Sequence, residues 1–312
     1  MLGAIIGDIV GSRFEWNNNK TKDFDFLTYR CCPTDDSIMS LAIAKAILMS
    51  KSNDELSENS INCMQELGNR YPDAGYGGHF AFWLTDSNPK PYNSWGNGAA
   101  MRVSACGFAA TSLDEAKLLS KLVTEVTHNH PEGIKGAEAT AVAIYMAKSG
   151  SSLLEIQDYI NKHYNKINFK LDDIRPEYTF DVSCQGSVPQ AFEAFFESTS
   201  FEDAIRNAIS IGGDSDTIAA ITGGIAEAYY GIPAEIRKHA LTFLDETQLT
   251  ILNDFESKYG MTSTKKTTTG TKTVKYTPEN TPSSSREEAI LDAINNADAA
   301  DKDSVEWKKN NQ

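Results

Sequence analysis

Apolar residues recur at helical spacing along most of the chain, and three stretches are apolar or small on several faces at once. Ile38–Met49 is apolar on all sides, the pattern of a helix buried in a core rather than lying on its surface. Gly133–Ala147 is rich in Ala and Gly and carries Ile134, Val142, Ile144 and Met146, which predicts a second helix packed closely on several sides. Thr217–Tyr230 predicts a third, with Gly223 and Gly224 placed where another backbone approaches. Asp114–Thr127, Leu153–Tyr164, Pro189–Glu197, Phe201–Ile211, Pro233–Leu244 and Gln248–Lys258 predict amphipathic helices around them. The one candidate strand is Tyr178–Ser183. The expectation is an all-α fold, a single compact multi-helix domain over residues 1–261 with buried small-residue helices at its centre.

The pattern stops at residue 262. Thirteen of the residues in 262–285 are Ser or Thr, and apolar side chains are nearly absent. Such a segment cannot offset its ordering entropy by burial, so it predicts a flexible linker within a disordered C-terminal tail. Ser285-Arg-Glu-Glu288 then has the capping-box pattern, followed by Ala289, Ile290, Ile294 and Ala297 at helical spacing, which predicts one short helix in the tail, 286–312.

Charge narrows the function classes. The net charge is -14, from 29 basic and 43 acidic side chains. The tail is balanced, so residues 1–261 carry all of it. A surface this acidic repels phosphate backbones and disfavours a general nucleic-acid binder. No run reaches the length of about 18 apolar residues that a membrane span needs, so no membrane partner is expected. The apolar start, Met1–Ile6, lacks a basic flank and meets Asp8 too soon for a signal peptide. Five cysteines, without CxxC spacing, suggest free thiols in a reducing, cytoplasmic setting.

Two acidic clusters open two of the buried helices: Thr34-Asp35-Asp36-Ser37 and Gly213-Asp214-Ser215-Asp216-Thr217. Each alone could be a helix cap. Capping uses one side chain, however, whereas each cluster supplies two carboxylates flanked by hydroxyls. Four carboxylates brought together repel and hold their protons unless a cation sits among them. Aspartate and threonine oxygens suit Mg²⁺ or Mn²⁺ better than zinc. Asp8 and Glu15, in Gly7-Asp8-Ile9-Val10-Gly11-Ser12-Arg13-Phe14-Glu15, add two carboxylates that could equally cap a helix or face solvent. Ser94-Trp95-Gly96-Asn97-Gly98 reads either as a plain turn or as a loop whose free amides cradle a phosphate. His128 and His130 could be ligands, but no further His or Cys spacing supports zinc; a satisfied structural histidine, or one bonding a ligand, fits better.

Taken together and in this order, GDIVGSRFE (7–15), TDDS (34–37), GNGAAMR (96–102), THNHPEG (127–133) and GGDSDT (212–217) resemble the ADP-ribosylglycohydrolase family. The resemblance runs from Gly3 to about Gly231. It implies an all-α domain with two Mg²⁺ ions, Mn²⁺ being a possible substitute, that releases ADP-ribose from a modified protein or small-molecule acceptor. Carried over by position, Thr34, Asp35, Asp36, Asp214, Asp216 and Thr217 would be metal ligands. Glu15 matches the family's glutamate near the scissile bond, with Asp35 and Asp36 as further candidates for handling the proton. Gly96, Asn97 and Gly98 match the loop that contacts ADP-ribose, and His128 a histidine close to it; Trp95 is added as a ring beside that loop. Ser37 stands where many members have Thr, and its hydroxyl is kept.

The chemistry expected is attack of a metal-positioned water on C1″ of the distal ribose, with carboxylates stabilising oxocarbenium character. An arginine side chain is the first acceptor to consider, ahead of serine, a nucleic-acid base, poly(ADP-ribose) or a free small molecule. Two rival readings are an inactive ADP-ribose-binding or structural relative, and a metal-dependent phosphohydrolase of ADP-ribose-like nucleotides.

Overall fold

A computed structural model describes residues 1–164 and 166–260; the expected linker and tail helix lie outside the described residues. Among these, α-helices and one 3-10 turn account for the regular structure, and no strand is present. The all-α expectation is met. Tyr178–Ser183 is not a strand: Ser183 makes a single antiparallel bridge to Gly96. The Asn97 amide donates to the Val182 carbonyl at 2.7 Å and the Cys184 amide to the Trp95 carbonyl at 2.9 Å. The bridge ends there because the chain turns at once into the Cys184–Phe196 helix.

The centre of the fold is a helix the hydrophobic pattern did not predict. Leu2–Gly11 is buried over its whole length, so it shows no polar face and no periodicity. It lies against Ser215–Tyr230, itself buried from Ser215 to Ala228. The two backbones touch along glycines spaced one helical turn apart. A Cβ on Gly3 would lie 2.3 Å from the Gly223 carbonyl oxygen, one on Gly7 1.9 Å from the Ala219 oxygen, and one on Gly11 2.5 Å from Asp216 Cα. Gly223, expected at a close backbone approach, faces the Gly3 oxygen at 2.2 Å by the same measure. Glu227 adds a polar tie by accepting the Gly3 amide at 2.7 Å.

Asp35–Met49, Pro131–Lys148 and Cys184–Phe196 pack around this pair. The first two extend the predicted Ile38–Met49 and Gly133–Ala147 by one turn or less at the N-terminus. The third begins before the expected Pro189, because Ser183 caps it by accepting the Gly186 amide at 3.0 Å. Asn53–Arg70 was not predicted; its stripe of Leu56, Cys63, Met64 and Leu67 is set in an otherwise polar segment. All five cysteines are free.

Replacing Gly7 with Ala forces the two central helices apart. We expect a loss of about 2–3 kcal/mol, read as a fall in Tm of roughly 5–10 °C. Gly77→Ala, where a Cβ would meet nothing within 4 Å, serves as the control and leaves Tm nearly unchanged.

Candidate metal and ligand site

The contact between the two central helices fixes the site. Asp8 stands near the end of the first helix and Asp216 near the start of the second. Asp35–Met49 brings Asp36 to the same point. Carboxylate oxygens of Asp8, Asp36 and Asp216 lie within 4.8 Å of one another, and those of Glu15, Asp214 and Asp216 form a second such triad. Asp216 belongs to both.

Asp8, not a residue of the TDDS motif, caps the Asp35–Met49 helix from a distance: its Oδ2 accepts the amides of Thr34 at 2.9 Å and Ser37 at 3.1 Å. Thr34 Oγ1 donates to Asp8 Oδ1 at 2.6 Å, and the Ser37 hydroxyl donates to Oδ2. Thr34 is the local N-cap, its side chain accepting the Asp36 amide. Asp36 is therefore released from capping. Its Oδ2 accepts Thr217 Oγ1 at 3.0 Å, while its Oδ1 is buried without any hydrogen-bond partner. Asp214 occupies the N-cap position of Ser215–Tyr230 but makes no cap bond. It accepts Asn97 Nδ2 at 2.6 Å instead.

Burial and mutual repulsion push this cluster towards the protonated form. Burial first, then the Asp216 charge, raises Asp8 to about 7. Burial raises Asp214 to about 6, against hydrogen bonds from Asp216 and then from Asn97. Asp35, Asp36 and Asp216 are held well above the carboxylate range, chiefly by burial. Glu15, in the turn after the first helix, is driven to about 11 by burial and by Asp216 and Asp214. The donor set is all oxygen, one buried oxygen has no partner, and the repulsion calls for positive charge. These residues fit hard divalent cations.

Asp35 is half-buried and belongs to neither triad. Thr34 and Thr217 hold Asp8 and Asp36 through their hydroxyls. The Asn97 side chain reaches the cluster, which the turn reading did not anticipate. The loop's amides are mostly spent: Gly96 N donates to Ser94 Oγ at 3.1 Å and Asn97 N to Val182 O at 2.7 Å, so two of the three are engaged within the fold. Trp95 is exposed, its ring 5.3 Å from that of His130. His130 caps the Pro131–Lys148 helix by accepting the Glu132 amide at 3.1 Å. His128 is buried beneath the loop, its Nε2 3.4 Å from where a Cβ on Gly98 would be. Burial, and then the Arg102 charge, keep it neutral. Neither histidine joins the acidic triads.

The electrostatics set a pH dependence. Carboxylates whose folded pKa is raised bind protons more tightly folded than unfolded. Stability of the cation-free protein is therefore greatest below the ordinary carboxylate value of 3.8, as far as these groups contribute, and is lost as pH rises through about 6 and 7, where Asp214 and Asp8 ionise. Thermal unfolding with a chelator should give a Tm that falls between about pH 5 and pH 8, and millimolar Mg²⁺ should restore it most at the upper end. A Tm in chelator that rises across this interval would contradict the assignment of repulsion.

Sequence and structure comparisons show the family and the fold to which this chain is similar. The profile of the ADP-ribosylglycohydrolase family matches residues 1–263. ADP-ribosylhydrolase ARH3 of Xenopus tropicalis is 28% identical, the alignment covering 74% of this chain and 86% of that protein. The human ARH3 is 26% identical over 74% and 84%. ADP-ribosylarginine hydrolase Tri1 of Serratia proteamaculans is 27% identical over 74% and 70%. A solved structure described as an ADP-ribosylglycohydrolase-related protein complex superposes with a TM-score of 0.56 at 20% identity, covering 83% of this chain and 95% of that one, which supports the fold. On the extent of the profile match, the chain belongs to the ADP-ribosylglycohydrolase family.

Proposed function

We propose that the protein is a divalent-cation-dependent hydrolase that releases ADP-ribose from a mono-ADP-ribosylated acceptor, with arginine side chains the first to test. The observation that carries this reading is the pair of acidic triads meeting at Asp216 beside the Gly96-Asn97-Gly98 loop. Family membership supports the reaction class, and the activity for which the Serratia relative is named supports arginine as the first acceptor.

Asp8, Asp36 and Asp216 would hold one cation, and Glu15, Asp214 and Asp216 the other, with Thr34, Thr217 and Asn97 fixing the carboxylates and Asp35 at the margin. Two Mg²⁺ ions there would supply positive charge for a ligand that brings its own phosphates, and would polarise water for attack on C1″ of the distal ribose. Asp8, Asp36, Asp214 and Asp216 are buried at helix ends, whereas Glu15 is half-buried in a turn. Its position suits it to exchange a proton with water or with the leaving group at its carboxylate oxygens. His128 and the glycine loop would border the bound ADP-ribose, with exposed Trp95 at the rim.

Release of ADP-ribose from arginine- and serine-linked protein substrates, with Mg²⁺ or with EDTA, tests the reading. Cation-dependent release of intact ADP-ribose from either linkage supports it, and the preferred linkage names the acceptor. AMP and ribose phosphate as products would indicate a phosphohydrolase instead, and cation-dependent ADP-ribose binding without turnover a binding protein. Asp216→Asn, which breaks both triads, should lower kcat/KM by more than about 10³ and weaken Mg²⁺ binding measured by calorimetry. Glu15→Gln should lower kcat by about 10²–10⁴ with a small effect on KM. An unchanged kcat in that variant would remove Glu15 from the proton transfer.

A further inference from the structure

Arg102 is an anomaly in a site built from carboxylates. It is 1% exposed, and its Nε has no hydrogen-bond partner. It makes no ion pair among the described residues; Asp35 acts on its charge only at a distance. Its guanidinium lies 5.7 Å from the Phe80 ring centroid. Burial draws its pKa down to about 10, so it remains charged near neutrality. A buried cation without a counter-ion is costly to hold, and packing alone would be served better by an apolar side chain.

The side-chain hydrogen bond that Arg102 does make points to its use. Nη2 donates to Thr127 Oγ1 at 2.6 Å, and Thr127 Oγ1 lies 2.7 Å from His128 Nδ1. Thr127 is fully buried, and its hydroxyl carries one proton. That proton can go to His128 Nδ1, or to the Thr124 carbonyl, which is distant at 3.4 Å. The guanidinium at the oxygen makes the hydroxyl a better donor and a poorer acceptor. The consistent arrangement runs Arg102 to Thr127 to His128, each donating to the next. Nδ1 then accepts, and the imidazole proton resides on Nε2.

Nε2 faces the glycine loop. A Cβ on Gly98 would be 3.4 Å from it and one on Gly96 3.5 Å, yet neither residue has a side chain to fill that space. Nε2 makes no hydrogen bond among the described residues. The ring also packs against Tyr92, with centroids 5.8 Å apart. Backbone bonds fix the segment as well: His128 N donates to Thr124 O at 2.9 Å and Tyr92 N to Thr127 O at 3.1 Å.

We propose that Arg102 and Thr127 are positioning residues that hold His128 neutral with its proton on Nε2, so that it presents one hydrogen-bond donor to an oxygen of the ligand at the Gly96-Asn97-Gly98 loop. The identity of that ligand rests on the ADP-ribose reading; the proton relay does not. The relay gives the site a donor that does not add charge, and orients it without any contact between Arg102 and the ligand.

The test is the histidine tautomer, read in long-range ¹H–¹⁵N spectra of the full chain labelled with ¹⁵N-histidine near pH 7, with the His128 signal assigned by its loss in His128→Gln. The proposal expects the pattern of a protonated Nε2 and a bare Nδ1. Thr127→Ser should keep it. Thr127→Val should shift it towards the other tautomer and weaken ADP-ribose binding about tenfold with Mg²⁺ affinity unchanged. A wild-type His128 that is protonated on Nδ1, or on both nitrogens, overturns the relay, as does an unchanged tautomer in Thr127→Val. Should that variant fail to fold, the wild-type spectrum and Thr127→Ser still decide. Absence of any ADP-ribose binding in the wild type with Mg²⁺ would count against the functional reading alone.

Discussion

The contact on which the site depends is steric. Two helices that begin more than two hundred residues apart in sequence lie backbone to backbone because Gly3, Gly7 and Gly11 present no side chain along one face. At the end of that contact, the Gly11 face meets Asp216 Cα and the neighbouring Asp8 meets the Asp216 carboxylate. A wider helix separation, as any side chain at Gly7 would impose, would draw Asp8 away from Asp216 and open the first triad. The apolar interior thus positions the acidic cluster through shape, before any electrostatic term is considered.

Electrostatics then works against the fold. Asp8, Asp36, Asp214 and Asp216 are buried together, and their mutual repulsion destabilises the ionised, cation-free protein. The fold manages part of this locally. Asp8 receives two amides and two hydroxyls, so its charge is spread over the start of the Asp35–Met49 helix. Asn97 does the same for Asp214. Asp36 Oδ1 is left with nothing. Capping by Asp8 and Thr34 is what frees Asp36, so one acidic residue stabilises the helix while another faces the centre. Cap and site are thus complementary parts of one arrangement, not rival explanations.

This division explains what could be read from the sequence. TDDS and GGDSDT are local motifs at helix starts; the structure places Asp36 and Asp214 each in a triad with Asp216, and Asp35 in neither. Glu15 joins them through a turn that was not itself legible. The sequence leaves Asp8 between a helix cap and a solvent-facing carboxylate, because the partners that reveal its role, Thr34 and Ser37, lie 26 and 29 residues away. Its helix was missed for a related reason: a segment buried on every face has no amphipathic signal, and ten residues are few for a pattern. Asn53–Arg70 was missed for the opposite reason, a narrow apolar stripe in a polar sequence. The glycine loop was placed beside the site, but its amides pair with Ser94 and with Val182, the latter across a bridge that no local pattern predicts.

The central claim is that the acidic cluster is a two-cation site that shares Asp216. Anomalous diffraction from crystals grown with Mn²⁺ tests it most directly. The account predicts two peaks flanking the Asp216 carboxylate, one contacting Asp8 and Asp36 and the other Glu15 and Asp214. A cluster free of Mn²⁺ at saturating concentration, with the aspartates bonded to one another through retained protons, would contradict it.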